Sequence, residues 1–243
     1  MLSIVSTLRT MMTMPTVHLS LGQNPEILPL FTRMHPKYRV FAAKEWGVAL
    51  LFVPDEFAIY LRGKARNVVR TNRNRARRSG FLFSAIDPLA RLDDILSINT
   101  STESRQGKPM LKEYSDRDAL KCYFAGKQQD TYGVVDASGT VVAYCYVPVL
   151  GDVSVVSRVL GHTHFLEYGI MYLLLSELVR EMSERKAAVG KPDWIMYDTC
   201  FGNLPGLRYF KDRMGFRPFR VKWSADQPAS HLRAVGDCGA TKR

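Results

Sequence analysis

Lys211 closes the run Pro205-Gly-Leu-Arg-Tyr-Phe-Lys211, which lies between two apolar segments, Trp194–Thr199 and Phe216–Trp223. A lysine on a short helix between two strands is a cation that burial could set against a developing oxyanion. The alternative is a solvated ammonium on a surface helix. Two carboxylates can orient an amine or take its proton: Asp198, at the end of the first segment, and Glu167, at the head of a long apolar-periodic stretch. Structural hydrogen bonding accounts for either equally well. Cys200 shares the strand end with Asp198, but a thiol becomes a nucleophile beside a base, and no histidine can be placed next to it. His162 and His164 would share one face of a strand; with no third ligand evident, no metal is implied. Arg105, Gln106 and Lys108 cluster in the polar stretch Ser101–Pro109, where they could clamp an anionic acceptor; a flexible loop has the same composition. Arg66, Arg70, Arg73 and Arg77 recur at i, i+4, i+7 and i+11, which places them on one helical face. Such a stripe suits the phosphates of a polyanion such as tRNA, an anionic membrane surface, or plain solvent. The lack of interleaved aromatics argues against a base-stacking platform.

The elements needed to position these residues can be read from periodicity and turn chemistry. Tyr38–Ala42 and Trp46–Phe52 read as short strands, and Phe57–Leu61 as another apolar piece. Lys64–Gly80 is free of proline and ends in Ser-Gly, so it reads as a helix. Phe81–Ile86 reads as a strand. Asp87-Pro88 then predicts a helix start, with aspartate at the cap and proline at the first helical position. Ser115-Asp-Arg-Asp118 predicts a further helix to about residue 126. Thr131–Val135, Val141–Val149 and Val153–Leu160 form a predicted antiparallel meander, with turns at Asp136–Gly139 and Gly151-Asp152. A long helix over residues 165–185 buries Leu166, Ile170, Leu173, Leu174 and Leu178. Strand, helix and strand follow over Trp194–Asp198, Leu204–Arg213 and Phe216–Trp223. Residues 1–35 read as a loosely ordered arm, 36–80 as a strand-rich extension with the basic helix, 81–223 as the core, and 224–243 as a polar tail.

At 243 residues and 46% hydrophobic the chain can bury a sizeable core. No apolar run approaches the roughly 18 residues that span a bilayer. The first 21 residues lack an apolar stretch followed by small-residue cleavage signals, so they read as an arm rather than a signal peptide. Four scattered cysteines without a C-x-x-C spacing point to reduced thiols and a cytoplasmic setting rather than disulfides or zinc. A net charge of +11, from 34 basic against 23 acidic residues, predicts attraction to polyanions: nucleic acid, phosphorylated cofactors or acidic membrane.

From Phe81 the predicted order is β-α-α-β-β-β-α-β-α-β, the element order of the GCN5-related N-acetyltransferase (GNAT) fold. Two local motifs agree with it. Pro205-Gly-Leu-Arg-Tyr-Phe-Lys211, continuing to Met214-Gly-Phe216, resembles the P-G-L-x-x-F-K-x-x-F-G block of the Fem-type aminoacyltransferases, a branch of that superfamily. Lys64–Phe83, with Arg-Thr-Asn72, Ala76 and Gly80-Phe-Leu-Phe83, resembles the basic segment that precedes a core strand in the same branch. The resemblance covers residues 64–219. Fem-type proteins usually hold two such units; this chain has room for one, so peptidoglycan-precursor specificity does not transfer.

The resemblance implies an α/β fold with a mixed, mostly antiparallel sheet flanked by helices. It also implies an acyltransferase whose amine acceptor attacks a carbonyl between the fourth and fifth strands. Acyl-CoA is the expected donor, with a pyrophosphate turn at Arg158-Val-Leu160-Gly161-His162-Thr163 and further donor contacts at Gly169 and Asn203. Thr163 departs from the small residue expected in that turn. Superfamily members that use acetyl-CoA carry a tyrosine acid early in the last helix; here that position is Phe210, with Tyr209 beside it and Lys211 the polar residue retained. Aminoacyl-tRNA is therefore the alternative donor, and it would also explain the arginine stripe. A nucleic-acid-binding or scaffold protein on a catalytically silent fold is the third reading.

Overall fold

The computed structural model describes residues 12–34, 42–105, 107–201 and 203–226. The chain opens with strand β1 (Thr16–Ser20) and helix α1 (Leu28–Thr32), then β2 (Val48–Phe52) and the single-turn helix α2 (Phe57–Tyr60). A 3-10 turn at Lys64–Arg66 leads into α3 (Asn67–Arg78), followed by β3 (Leu82–Ala85) and α4 (Leu92–Thr100). A small hairpin, β4 (Ser104–Arg105) with β5 (Lys108–Pro109), precedes α5 (Arg117–Phe124), which Asp116 caps by accepting from the amides of Asp118 and Ala119. Then come β6 (Thr131–Val135), β7 (Val141–Tyr146), β8 (Val149–Leu150), β9 (Val153–Val155) and β10 (Ser157–Gly161). The long helix α6 (Ile170–Val189), β11 (Trp194–Thr199), α7 (Pro205–Met214) and β12 (Arg217–Ser224) complete the chain.

These strands form two main sheets. Six are ordered β1-β12-β2-β11-β9-β8 and four are ordered β10-β7-β6-β3. The β1–β12 and β9–β11 pairs are parallel; the other neighbours are antiparallel. Helix α6 packs where the sheets meet and buries Leu173, Leu174, Leu178 and Met182 in the central core with Leu51, Val134, Ala143 and Ile195. A second cluster lies under α4 and α5, around Ile95, Leu120, Phe124 and Tyr144. A third covers the far face of the six-stranded sheet, around Leu19, Phe31, Leu50, Met196 and Val221.

Several expectations are corrected. Residues 16–20, expected as part of a loose arm, form β1, paired with β12 from Thr16↔Arg220 to Ser20↔Ser224. The chain is not divided at residue 80, because β2 sits inside the six-stranded sheet between β11 and β12. The expected strand at 38–42 lies outside the described residues except Ala42, which bridges Met34. Asp87 does not cap a helix: its Oδ1 accepts the Leu89 amide in a local turn, and α4 begins only at Leu92. Residues 163–168 form a 3-10 stretch, so the long helix starts at Ile170, after Gly169 at φ 83°.

Candidate functional site

The strand expected over 153–160 changes sheet. β9 pairs with β11 as far as Val155↔Met196, and the Val156 amide still donates to the Met196 carbonyl at 2.8 Å. From Ser157 the chain turns away and pairs with β7 instead. The register on β7 slips between Ser157 and Leu160, and the register of β11 on β2 slips between Met196 and Thr199. Arg158 (φ 31°) lies in the first slip and Asp198 (φ 52°) in the second, and they are the only non-glycine residues with positive φ among those described. Backbone conformations of this kind cost of order 1–3 kcal/mol each and tend to gather at functional sites. Here one sits on each lip of a cleft of about 820 Å³ between the parted strands.

Among the described residues five basic side chains line this cleft, Arg33, Lys44, Arg105, Lys108 and Arg158, against one carboxylate, Asp198. Asp198 is ion-paired with Lys44, and the pair is partly open to solvent. Lys211 does not line the cleft. It is 2% exposed, and its ammonium donates to the carbonyls of Tyr197 (2.8 Å) and Thr199 (2.9 Å), the residues on either side of Asp198. Burial pushes its pKa down, partly countered by the charge of Asp198. Geometry thus makes Lys211 a clamp on the lip that carries Asp198 rather than a donor facing the cleft. Asn203 lines the cleft and also donates to the Thr199 carbonyl.

The turn expected to cradle pyrophosphate is not an open nest. Arg158, Leu160 and Gly161 belong to β10, and the Arg158 side chain lies against Tyr123 and Tyr114, 3.5 and 4.4 Å from the ring centroids. The amides that follow are taken: His162 donates to the Val142 carbonyl, Thr163 to Ser101 Oγ, and His164 to His162 Nδ1. Helix α3 covers the start of α6, and a Cβ on Gly169 would sit 2.7 Å from the Asn72 carbonyl oxygen. Burial, the neighbouring His164 and then Arg105 all push the His162 pKa down.

The remaining expected residues lie elsewhere. Glu167 and Tyr209 are exposed and outside the cleft; the Arg213 guanidinium lies 4.8 Å from the Tyr209 ring centroid. Arg105 and Lys108 do line the cleft, and Gln106 lies outside the described residues. The arginine stripe is largely turned inward. Arg73 pairs with buried Glu177 at 2.8 Å, Arg66 donates to the Arg213 carbonyl, and Arg70 to the carbonyls of Leu61 and Gly63; Arg77 is exposed. Burial raises the Cys200 thiol, with Lys211 and other nearby cations only partly opposing it, so a thiolate nucleophile is disfavoured. Among the described residues no group of three His, Cys, Asp or Glu side chains could hold a metal.

Sequence reasoning missed Arg33, Lys44 and Tyr114, which reach the cleft from α1, the β2 approach and the α5 approach. The lone basic residue in Ala42-Ala-Lys44-Glu-Trp46 was the available signal for Lys44. Its pairing with a residue 154 positions away was not readable.

Neither a protein-family model nor a curated protein matches the sequence. Solved structures do match in shape. FemX aligns with a TM-score of 0.55 at 9% identity, over 71% of this chain and 59% of that one. A conserved protein of unknown function from Bacteroides thetaiotaomicron aligns at 0.51 and 15% identity, over 72% and 58%. L-PGS from Bacillus licheniformis aligns at 0.49 and 15% identity, over 72% and 58%. The chain thus spans a little under three fifths of the length of these proteins. At such identities the likeness concerns architecture alone: over about seven tenths of its length the chain shares the fold of FemX, a mixed sheet opened at one seam and flanked by helices.

Proposed function

We propose that the protein is an acyltransferase that joins an amine acceptor to the acyl group of an activated donor within the cleft between β10 and β11. The observation that carries this reading is the paired backbone distortion at Arg158 and Asp198, which opens the sheet where a carbonyl can be approached from both sides. The acceptor nitrogen attacks the donor carbonyl carbon, and the tetrahedral oxyanion collapses with loss of the donor's oxygen or sulfur. The amine proton passes to Asp198, whose lip Lys211 holds in place, and from there to the leaving atom. The cationic lining favours the developing negative charge.

For the donor, the closed turn before α6 supports an aminoacyl ester carried on tRNA over coenzyme A. Its amides are spent internally, and α3 covers the helix start where a pyrophosphate would bind. The test is calorimetric titration of the purified protein with acetyl-CoA and, separately, with aminoacylated tRNA. Binding of charged tRNA together with release of free tRNA on adding an amine acceptor is the expected result. Tight binding of acetyl-CoA alone would overturn the donor assignment. Binding of neither would overturn transfer and leave a non-catalytic scaffold.

A further inference from the structure

Two guanidinium groups on the cleft wall have hydrogen-bonding capacity left over. The Arg158 side chain is 9% exposed, and its Nη1 is buried with no partner. Its only carboxylate contact is a single 3.3 Å bond from Nη2 to Glu113 Oε1, and the Glu113 side chain is 54% exposed. Arg105 spends Nη2 on the carbonyls of Ile98 and Gly161, while its Nε is buried without a partner. Buried donors are almost always satisfied, and a cationic donor left without an acceptor is costlier than a neutral one. The tyrosine rings lie against the Arg158 guanidinium, and its hydrogen bonds run in its own plane, through the Nη1–Nη2 edge. That edge matches a two-oxygen anion, and among the described residues the cleft offers no carboxylate but Asp198, already held by Lys44.

We infer that Arg158 is the recognition point for an oxyanion group, carboxylate or phosphate, on the acceptor. Arg105 supports it, and Glu113 is an internal competitor that the ligand displaces. Calling the ligand an acceptor rests on the acyl-transfer reading; the binding itself does not. The left-handed backbone at Arg158 then has a use, because the bulge places a strand residue's guanidinium against the rings of Tyr114 and Tyr123 and within reach of Glu113. Glu113 and Tyr114 belong to one short 3-10 turn, Lys112–Tyr114, so carboxylate and ring can withdraw together.

Calorimetric titration at fixed ionic strength with acetate, inorganic phosphate and neutral acetamide tests this. Acetate or phosphate binds and acetamide does not; whichever anion binds identifies the acceptor's group as carboxylate or phosphate. Glu113→Gln removes the competitor and tightens binding by about two- to fivefold, the range of a solvent-exposed ion pair. Arg158→Lys keeps the charge and loses the two-point edge, weakening binding about tenfold or more. Circular dichroism confirms that each variant is folded. Failure of the wild-type protein to bind either anion overturns the inference, and so does unchanged affinity in both variants. Arg158-dependent anion binding in a protein that binds neither donor leaves this inference standing and the transfer reading fallen.

Discussion

Replacing Lys211 by methionine tests whether the seam is held from beneath. The ammonium is bonded to the carbonyls of Tyr197 and Thr199 at 2.8 and 2.9 Å, and the residue is 2% exposed, so Lys211→Met removes a charged donor from both carbonyls. Hydrogen bonds to a charged group contribute roughly 1.5–3 kcal/mol each, which gives a gross loss of about 3–6 kcal/mol. Two effects oppose it. Methionine fills much of the volume, and removing the ammonium relieves the desolvation that pushes its pKa down. Asn203 also continues to donate to the Thr199 carbonyl, so only the Tyr197 carbonyl is stripped of its side-chain donor. The net expectation is a loss of about 2–3 kcal/mol. With a urea m-value of about 2–3 kcal/mol/M, the unfolding midpoint falls by roughly 1 M. Tryptophan fluorescence reads the transition, with Trp194 at the start of the affected strand. Hydrogen exchange on β11 should show faster opening near Asp198 than at Ile195. An unchanged or raised midpoint would mean that desolvation outweighs the two bonds, and would refute the clamp.

Other outcomes follow from the same geometry. Arg73→Ala leaves the buried Glu177 carboxylate to Arg180 alone and should destabilise by about 1–3 kcal/mol with little change in tRNA affinity; Arg77→Ala, on the exposed side, should do the reverse, as read by urea unfolding and a tRNA salt titration. For Glu45, burial alone would raise the carboxyl, but hydrogen bonds and charge from Lys222 and Arg220 outweigh it and hold it below its ordinary 4.5. A depressed folded pKa gives stability that is present above that ordinary value and lost as pH falls through the folded one, so the acid limb of a stability–pH curve should flatten in Glu45→Gln. Asp198→Gly removes strain at φ 52° and should leave stability level or higher while abolishing transfer. Asp198→Val should cost about 1–2 kcal/mol, and equal stability of the two variants would remove the backbone from the account.

Legibility in the sequence followed locality. The block from Trp194 to Trp223 was readable because strand, helix and strand follow one another with a Gly215 stop between them, and each signal lies within a few residues. The edge strand β1 was not, although Thr16-Val-His-Leu-Ser20 alternates polar and apolar, because the run is only five residues long and its partner lies about two hundred residues away. The arginine spacing was right about a shared face and wrong about where the face points. Val69 and Ala76 fall at i−4 and i+3 of Arg73, so the stripe shares its side with the only buried apolar residues of α3. That clue was in the sequence, but an arginine-rich run pulls the reading toward solvent. Arg158 was assigned to a phosphate turn because a motif match cannot see a bulge. Residues 158 and 159 together face the single residue Cys145, and this one-residue bulge keeps the chain in β10 and moves the turn onward.

The parting of the strands is a property of the backbone before it is a property of side chains. A ladder between β10 and β11 would need extended residues on both sides of the seam. Arg158 on one strand and Asp198 on the other are left-handed, so neither edge can present its next amide and carbonyl in step. Distortions of that kind relax unless their surroundings over-determine them, and each lip has its own restraint. On β11 the restraint is the Lys211 ammonium, which ties the carbonyls before and after Asp198. On β10 it is the Arg158 guanidinium, anchored against Tyr123 and tied to Glu113. Both restraints are cations with buried polar atoms, one satisfied by the fold and one left partly unsatisfied. The satisfied cation ties the β11 lip within the fold itself, and the unsatisfied one has capacity for a ligand's oxygens. Under the proposed reading, a cleft built this way is preorganised on its β11 side and completed by the substrate on its β10 side, so substitutions around Arg158 should change acceptor preference and those around Lys211 should change stability.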